Sequence, residues 1–76
     1  MRTEMRKKMI ENELAKATAK WPSIKSAHEG ISLILEELDE FREAVREDQG
    51  AGNYKAKLEL IQVAAMAIRT LEDYYY

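Results

Sequence analysis

Five oxygen-bearing side chains fall into two groups along the chain: Glu36, Glu37 and Glu40 in one segment, and Glu59 with Gln62 in the next. Glu37/Glu40 and Glu59/Gln62 are both i,i+3 pairs, so on helices the two members of each pair project from nearly the same side. Two helices folded against each other as a hairpin would aim both pairs at one point. Such a point suits a hard divalent cation. Mg²⁺ takes carboxylate and neutral oxygen ligands and keeps several positions for water and substrate phosphates, and Mn²⁺ is the natural substitute. The chemistry implied is on a phosphorylated substrate. A zinc site is disfavoured, because the chain has one histidine and no cysteine.

Sparse punctuation defines the elements that must carry these groups. Pro22 is the only proline, and it disfavours helical geometry at Trp21, which ends a first helix spanning about 3–20. Ser26-Ala27-His28-Glu29 reads as a capping box: the Ser26 hydroxyl accepts from the Glu29 amide while the Glu29 carboxylate reaches back. That box starts a second helix over about 27–47. Gly50-Ala51-Gly52-Asn53 is the next break, with Asn53 as N-cap of a third helix over about 54–74. No period-two alternation lasts long enough for a strand. The expected fold is all-α, one helical domain over 1–76.

Composition narrows the partners. A 76-residue chain buries only about 60% of its unfolded surface, which is marginal without oligomerisation. With no cysteine, neither disulfides nor a thiolate metal site supplies the missing stability. A net charge of −2 with both signs interspersed offers no basic field to nucleic acid. The cluster Arg6-Lys7-Lys8 is mixed with Glu4 and Glu11, as on a solvated face. No apolar run approaches the ~20 residues of a membrane span, and Met1-Arg2-Thr3-Glu4 lacks the apolar core of a signal peptide. The expectation is a cytoplasmic protein that binds neither nucleic acid nor membrane.

At about 100° per residue, Ile31, Ile34, Leu35, Leu38, Phe41 and Val45 form the apolar stripe of the second helix. Glu36, Asp39, Glu43 and Glu47 lie opposite, as a solvated face would. Glu37 interrupts the apolar side, with Glu40 at its edge beside Leu33. A carboxylate there is costly to desolvate unless it is paired or coordinates a metal, the pairing candidates being Arg69 or a lysine. On the third helix the apolar arc from Ala56 through Leu60, Ile61, Ala64, Ala65 and Ile68 to Leu71 spans roughly 200°, wider than one neighbour requires. Part of it is expected to meet another subunit. The remaining polar strip holds Lys55, Glu59, Gln62, Arg69, Thr70 and Asp73, with Met66 among them. On its own this strip fits a solvent-facing side equally well. Its claim to function depends on whether it faces Glu37 and Glu40.

The runs His28-Glu29-Gly30, Glu36-Glu37-Leu38-Asp39-Glu40 and Glu59-Leu60-Ile61-Gln62-Val63-Ala64-Ala65-Met66-Ala67 together resemble the MazG-like, all-α nucleoside triphosphate pyrophosphohydrolase superfamily. Its pattern is Glu-Glu-x-x-Glu followed after a gap by Glu-x-x-Asp. Here eighteen residues separate Glu40 from Glu59. The resemblance covers about residues 20–73 and is nearest to small bacterial and phage-type members. It implies Mg²⁺-dependent hydrolysis of a (deoxy)nucleoside triphosphate to the monophosphate and pyrophosphate, by a dimer or tetramer of helical hairpins. Position by position, it makes Glu37, Glu40 and Glu59 metal ligands, and Glu36 a further ligand or the residue that orients the attacking water, a role Glu40 shares. Gln62 stands where the pattern has aspartate. Its carbonyl still ligates a cation but carries no charge, so Gln62→Asp is expected to strengthen binding.

Lys55, Lys57 and Arg69 are candidate phosphate partners. Trp21 is a candidate for stacking on a base, against the plainer role of a core aromatic at the helix junction. His28 is a candidate substrate contact, against a side chain of the capping region. Met1, Met5 and Met9 with Ile10, Leu14 and Ala17 give the first helix a diffuse apolar face, expected to pack on a partner subunit. Tyr74-Tyr75-Tyr76 closes over such a partner or frays. A reading of another class is a non-catalytic helical oligomerisation or nucleotide-binding module, favoured by Gln62 and by the very apolar third helix.

Overall fold

The computed structural model describes residues 2–48 and 54–75, and these form three helices without a strand among the described residues. Helix α1 spans Arg2–Lys20, α2 spans Ala27–Asp48 and α3 spans Tyr54–Thr70, continued by a π-helical turn over Leu71–Tyr75. The bounds of α1 and α2 lie within a residue of the expected ones, while α3 gives way to the π-helical turn at Leu71, inside the expected 54–74. The Gly50-Ala51-Gly52-Asn53 break and its Asn53 cap lie outside the described residues.

The ends of the helices follow from local chemistry. The backbone amide of Trp21 still donates to the Ala17 carbonyl at 2.9 Å, closing the last turn of α1 before Pro22 diverts the chain. At the start of α2 the Glu29 amide donates to Ser26 Oγ at 3.0 Å. The return arm differs from the expected capping box. The Glu29 carboxylate accepts from the Lys25 amide, at 3.0 Å, one residue before the cap. The connector is pinned at its other end by the π-helical turn. Asp73 Oδ2 accepts from the Ile24 amide at 2.9 Å and lies 3.6 Å from Arg69 Nε, while the Arg69 guanidinium donates to the Pro22 carbonyl. Ile24 is thereby held fully buried.

Helix α3 packs along α2 and, on another side, against α1. Ala17, Ala65 and Met66 form the common core, with Ile10, Leu33 and Ile34 packed on it. Small residues set the spacing. Ala44 and Ala65 are fully buried, and Gly30 lets α2 approach α3 at Thr70. A Cβ on Gly30 would lie 2.6 Å from Thr70 Cγ2 and 3.0 Å from its Oγ1, and that hydroxyl is anchored by donating to the Met66 carbonyl at 2.8 Å. Gly30→Ala gains up to about 1 kcal/mol of helix propensity but overpacks this contact by about 1–3 kcal/mol. Chemical denaturation is expected to find the single variant less stable than wild type. In a Thr70→Ala background, which removes the clash, the same change is expected to be stabilising.

The structure decides which faces turn inward. The polar strip of α3 is not solvent-facing: Met66, Arg69 and Thr70 are buried, Glu59, Gln62 and Asp73 are half-buried, and only Lys55 is exposed. Arg69 is tolerated inside because Asp73 and the Pro22 carbonyl satisfy its guanidinium. Conversely, part of each apolar stripe faces outward. Ile31, Leu35 and Leu38 on α2 and Leu60 and Leu71 on α3 are all about half exposed. Gly30 and Glu37 mark the side of α2 that meets α3, and Leu33 the side toward α1. The wheel sets Ile31, Leu35 and Leu38 about 100–160° round from Glu37 on the opposite flank. The same construction puts Leu60 and Leu71 beyond Thr70, away from Gln62 and Ala65. Both stripes therefore lie on the flank of the α2/α3 hairpin that α1 leaves uncovered. Tyr74 and Tyr75 are exposed and packed edge to face, with ring centroids 4.8 Å apart. Among the described residues no helix is long and apolar enough to cross a membrane.

Candidate functional site

The hairpin brings the two acidic groups together. One carboxylate oxygen from each of Glu37, Glu40 and Glu59 lies within 4.8 Å of the others. Glu37 and Glu40 are one turn apart on α2, and Glu59 reaches them from the half-buried strip of α3. The placement of Glu37 on the inward side of α2 has an electrostatic consequence. Burial, then the charge and hydrogen bond of Glu40, then the charges of Glu59 and Glu36 push its carboxyl up to about 7. Glu59 is also raised, by burial and by Glu40, with Lys55 acting in the opposite direction. Like charges gathered in a partly dehydrated place oppose one another's ionisation.

Arg69, expected either to pair with Glu37 or to bind phosphate, is engaged instead with Asp73 and the Pro22 carbonyl. Three carboxylates whose repulsion is not met by that cation suit Mg²⁺ or Mn²⁺. The donors are all oxygen, and a divalent ion turns their mutual repulsion into coordination. The single histidine, His28, is exposed in the first turn of α2 and lies outside both the cluster and the cleft beside it.

Glu37 is also a wall residue of a cleft of about 750 Å³ between α1 and α2, floored by α3. Gln62, Met66 and Arg69 contribute to the floor, and Leu33, Glu36 and Glu37 to the α2 wall. Trp21 and Pro22 line it too, and Trp21 is 55% exposed, so it is not the core aromatic that covers a helix junction. Lys20 Nζ sits 5.1 Å from the centre of the Trp21 ring. Lys55 is exposed at the far end of the acidic cluster, 3.3 Å from Glu47, and is not among the cleft residues.

The largest difference from the sequence reading is α1. Of the apolar face expected to pack on a partner, Ile10 and Ala17 pack within the chain while Met5 stays exposed, and Glu13, Lys16 and Lys20 form the second wall of the cleft. A signal for this was present. Residues 13, 16, 17 and 20 share one face of a helix, and the small Ala17 in their midst is the residue that packs on α3. Gln62, half-buried in the floor, donates from Nε2 to Glu13 Oε2 at 2.6 Å. The site thus unites Glu36, Glu37, Glu40, Glu59, Gln62 and Trp21 of the expected set, holds Arg69 in a structural role, and leaves His28 outside. Comparison with family models, with curated proteins and with solved structures finds no match.

Proposed function

We propose that the chain is a Mg²⁺-dependent nucleoside triphosphate pyrophosphohydrolase of the MazG-like type, acting in the cytoplasm as a homo-oligomer. The observation that carries this reading is the convergence of Glu37, Glu40 and Glu59, of which Glu37 also lines a cleft large enough for a nucleotide. Glu37, Glu40 and Glu59 would hold the ion, with the Gln62 carbonyl as a neutral fourth ligand, and Mn²⁺ would serve in place of Mg²⁺ on the same oxygens. When bound, the metal polarises a phosphoryl oxygen and offsets charge on the triphosphate.

The chain's own groups supply the rest. Glu36 is exposed on the cleft wall beside Glu37, and in this reading it takes a proton from a water that attacks the α-phosphoryl group. Glu40 is the other candidate for that role. Attack forms a bond from the water oxygen to the α-phosphorus and breaks the bond from that phosphorus to the bridging oxygen of the β-phosphate, which leaves with pyrophosphate. The Trp21 ring offers a face for the base, and Lys16 and Lys20 are the cations closest to hand for phosphate oxygens, taking the part first given to Lys55 and Arg69. The test is pyrophosphate release from a panel of ribo- and deoxynucleoside triphosphates with Mg²⁺ or Mn²⁺. Turnover that needs metal and is lost in Glu37→Gln is expected. Turnover no higher than that variant's would contradict the catalytic reading.

A second reading has its own support. The outward flank of Ile31, Leu35, Leu38, Leu60 and Leu71 and the neutral Gln62 suit a helical oligomerisation module that binds a nucleotide without cleaving it. The same panel separates the two, since such a module binds a triphosphate and returns it intact.

A further inference from the structure

The first helix is tied to the floor of the cleft by the hydrogen bond from Gln62 to Glu13. We infer that Glu13 is a positioning residue for the metal site, orienting the Gln62 amide and supplying the negative charge that position 62 lacks. This rests on the reading of Glu37, Glu40 and Glu59 as ligands.

An ionised carboxylate only accepts, and of the two ends of a glutamine amide only the NH₂ donates. A contact of 2.6 Å between Gln62 Nε2 and Glu13 Oε2 therefore fixes the amide: its nitrogen is spent on α1, and its carbonyl is turned away from Glu13. Gln62 is three residues beyond Glu59 on the same side of α3, so the end left over is the oxygen, the only atom of this side chain that a hard cation accepts. An amide without that anchor would present either end.

Glu13 is well suited to the task. Its side chain is 22% exposed, while Lys16, 3.4 Å away, is 74% exposed. Such a solvated lysine is a weak competitor for the carboxylate, and the amide bond to Gln62 is the shorter contact. Glu13 also brings a formal negative charge beside the neutral position in the acidic group. Outer-shell partners of this kind typically change metal affinity by about 10–100-fold. One consequence reverses the expectation for Gln62→Asp. A carboxylate introduced at position 62 meets Glu13, so the added charge brings repulsion together with any gain in ligand strength.

The test uses the full chain, Mn²⁺ as the probe ion and two readouts. Mn²⁺ affinity is read from the electron paramagnetic resonance of the free ion. The orientation of Gln62 is read from its side-chain amide NMR signals, which a charge-assisted bond shifts downfield. Glu13→Gln is expected to weaken Mn²⁺ binding by about 10–100-fold and to move the Gln62 signals. Gln62→Glu alone is expected to lower the melting temperature without tightening Mn²⁺. The exchanged pair Glu13→Gln/Gln62→Glu, in which donor and acceptor trade places, is expected to bring the melting temperature back and to bind Mn²⁺ within about threefold of wild type. Wild-type affinity in Glu13→Gln, or tighter binding with unchanged stability in Gln62→Glu, would overturn the inference while leaving the three-carboxylate site standing. A wild-type chain that binds no Mn²⁺, with the Gln62 signals still shifted, would overturn the metal reading and the role of Glu13 with it.

Discussion

Glu37→Gln is expected to raise the melting temperature of the metal-free protein and to abolish the further rise that Mg²⁺ gives the wild type. The variant keeps the shape of the side chain and removes the charge that burial, Glu40, Glu59 and Glu36 all oppose. Without metal that is a relief, because a half-buried carboxylate facing like charges is unfavourable in its ionised form. With metal it is a loss. Partners one shell out already change affinity by about 10–100-fold, and a direct ligand is expected to matter no less. Stabilisation by Mg²⁺ follows from its preference for the folded chain and should largely vanish in the variant at concentrations that saturate the wild type.

The same group gives the metal-free protein a pH dependence with a definite sign. The Glu37 carboxyl rises from 4.5 to about 7 on folding, so between those values the folded chain binds more protons than the unfolded one. Stability then falls as pH rises. The contribution is fully present below about pH 4.5 and is lost as pH climbs through about 7. Thermal melts in chelator across this window are expected to decline for wild type and to be flatter for Glu37→Gln. A wild-type chain that gains stability over the window, or a variant that melts lower than wild type without metal, would show that Glu37 has a stabilising protein partner instead of a metal.

Leu35→Lys is expected to turn the proposed oligomer into a folded monomer. Leu35 sits between Ile31 and Leu38 in the outward stripe of α2, on the same flank of the hairpin as Leu60 and Leu71 of α3, and each of the five is about half exposed. Covering the exposed half of such a side chain contributes about 1 kcal/mol. A two-fold contact uses the same patch on both copies, so on the order of 10 kcal/mol is available against an association cost of about 4–15 kcal/mol. The balance is fine enough for one buried lysine per copy to decide it. The fold is expected to survive, since Leu35 touches solvent already and the core of Ala17, Ala65 and Met66 lies elsewhere. Light scattering and helical circular dichroism check the two halves of this claim. A wild-type chain that is monomeric at micromolar concentration, or a variant with unchanged mass, would remove the flank from the account.

The end of α1 and the start of α2 were legible in the sequence because each carries its own local chemistry, Pro22 after α1 and Ser26 with Glu29 before α2. Glu37 was legible too, since a carboxylate inside an apolar stripe announces itself on a wheel. Which side of α3 faces in was not. Its apolar arc is so wide that the wheel cannot choose a direction, and the deciding contacts are distant ones: Asp73 to Ile24 and Gln62 to Glu13, each spanning 49 residues of sequence. Arg69 was misjudged for the same reason. Its partner Asp73 lies one turn away, but the Pro22 carbonyl that completes its burial is brought to it only by the fold.

Phosphorus NMR of a nucleoside triphosphate incubated with the protein and Mg²⁺ tests the central claim most directly, because it shows which bond is broken. The account predicts that the three triphosphate signals give way to those of pyrophosphate and the nucleoside monophosphate, and that chelator or Glu37→Gln prevents the change. A triphosphate left intact across the nucleotides, or one converted to the diphosphate and inorganic phosphate, would contradict it.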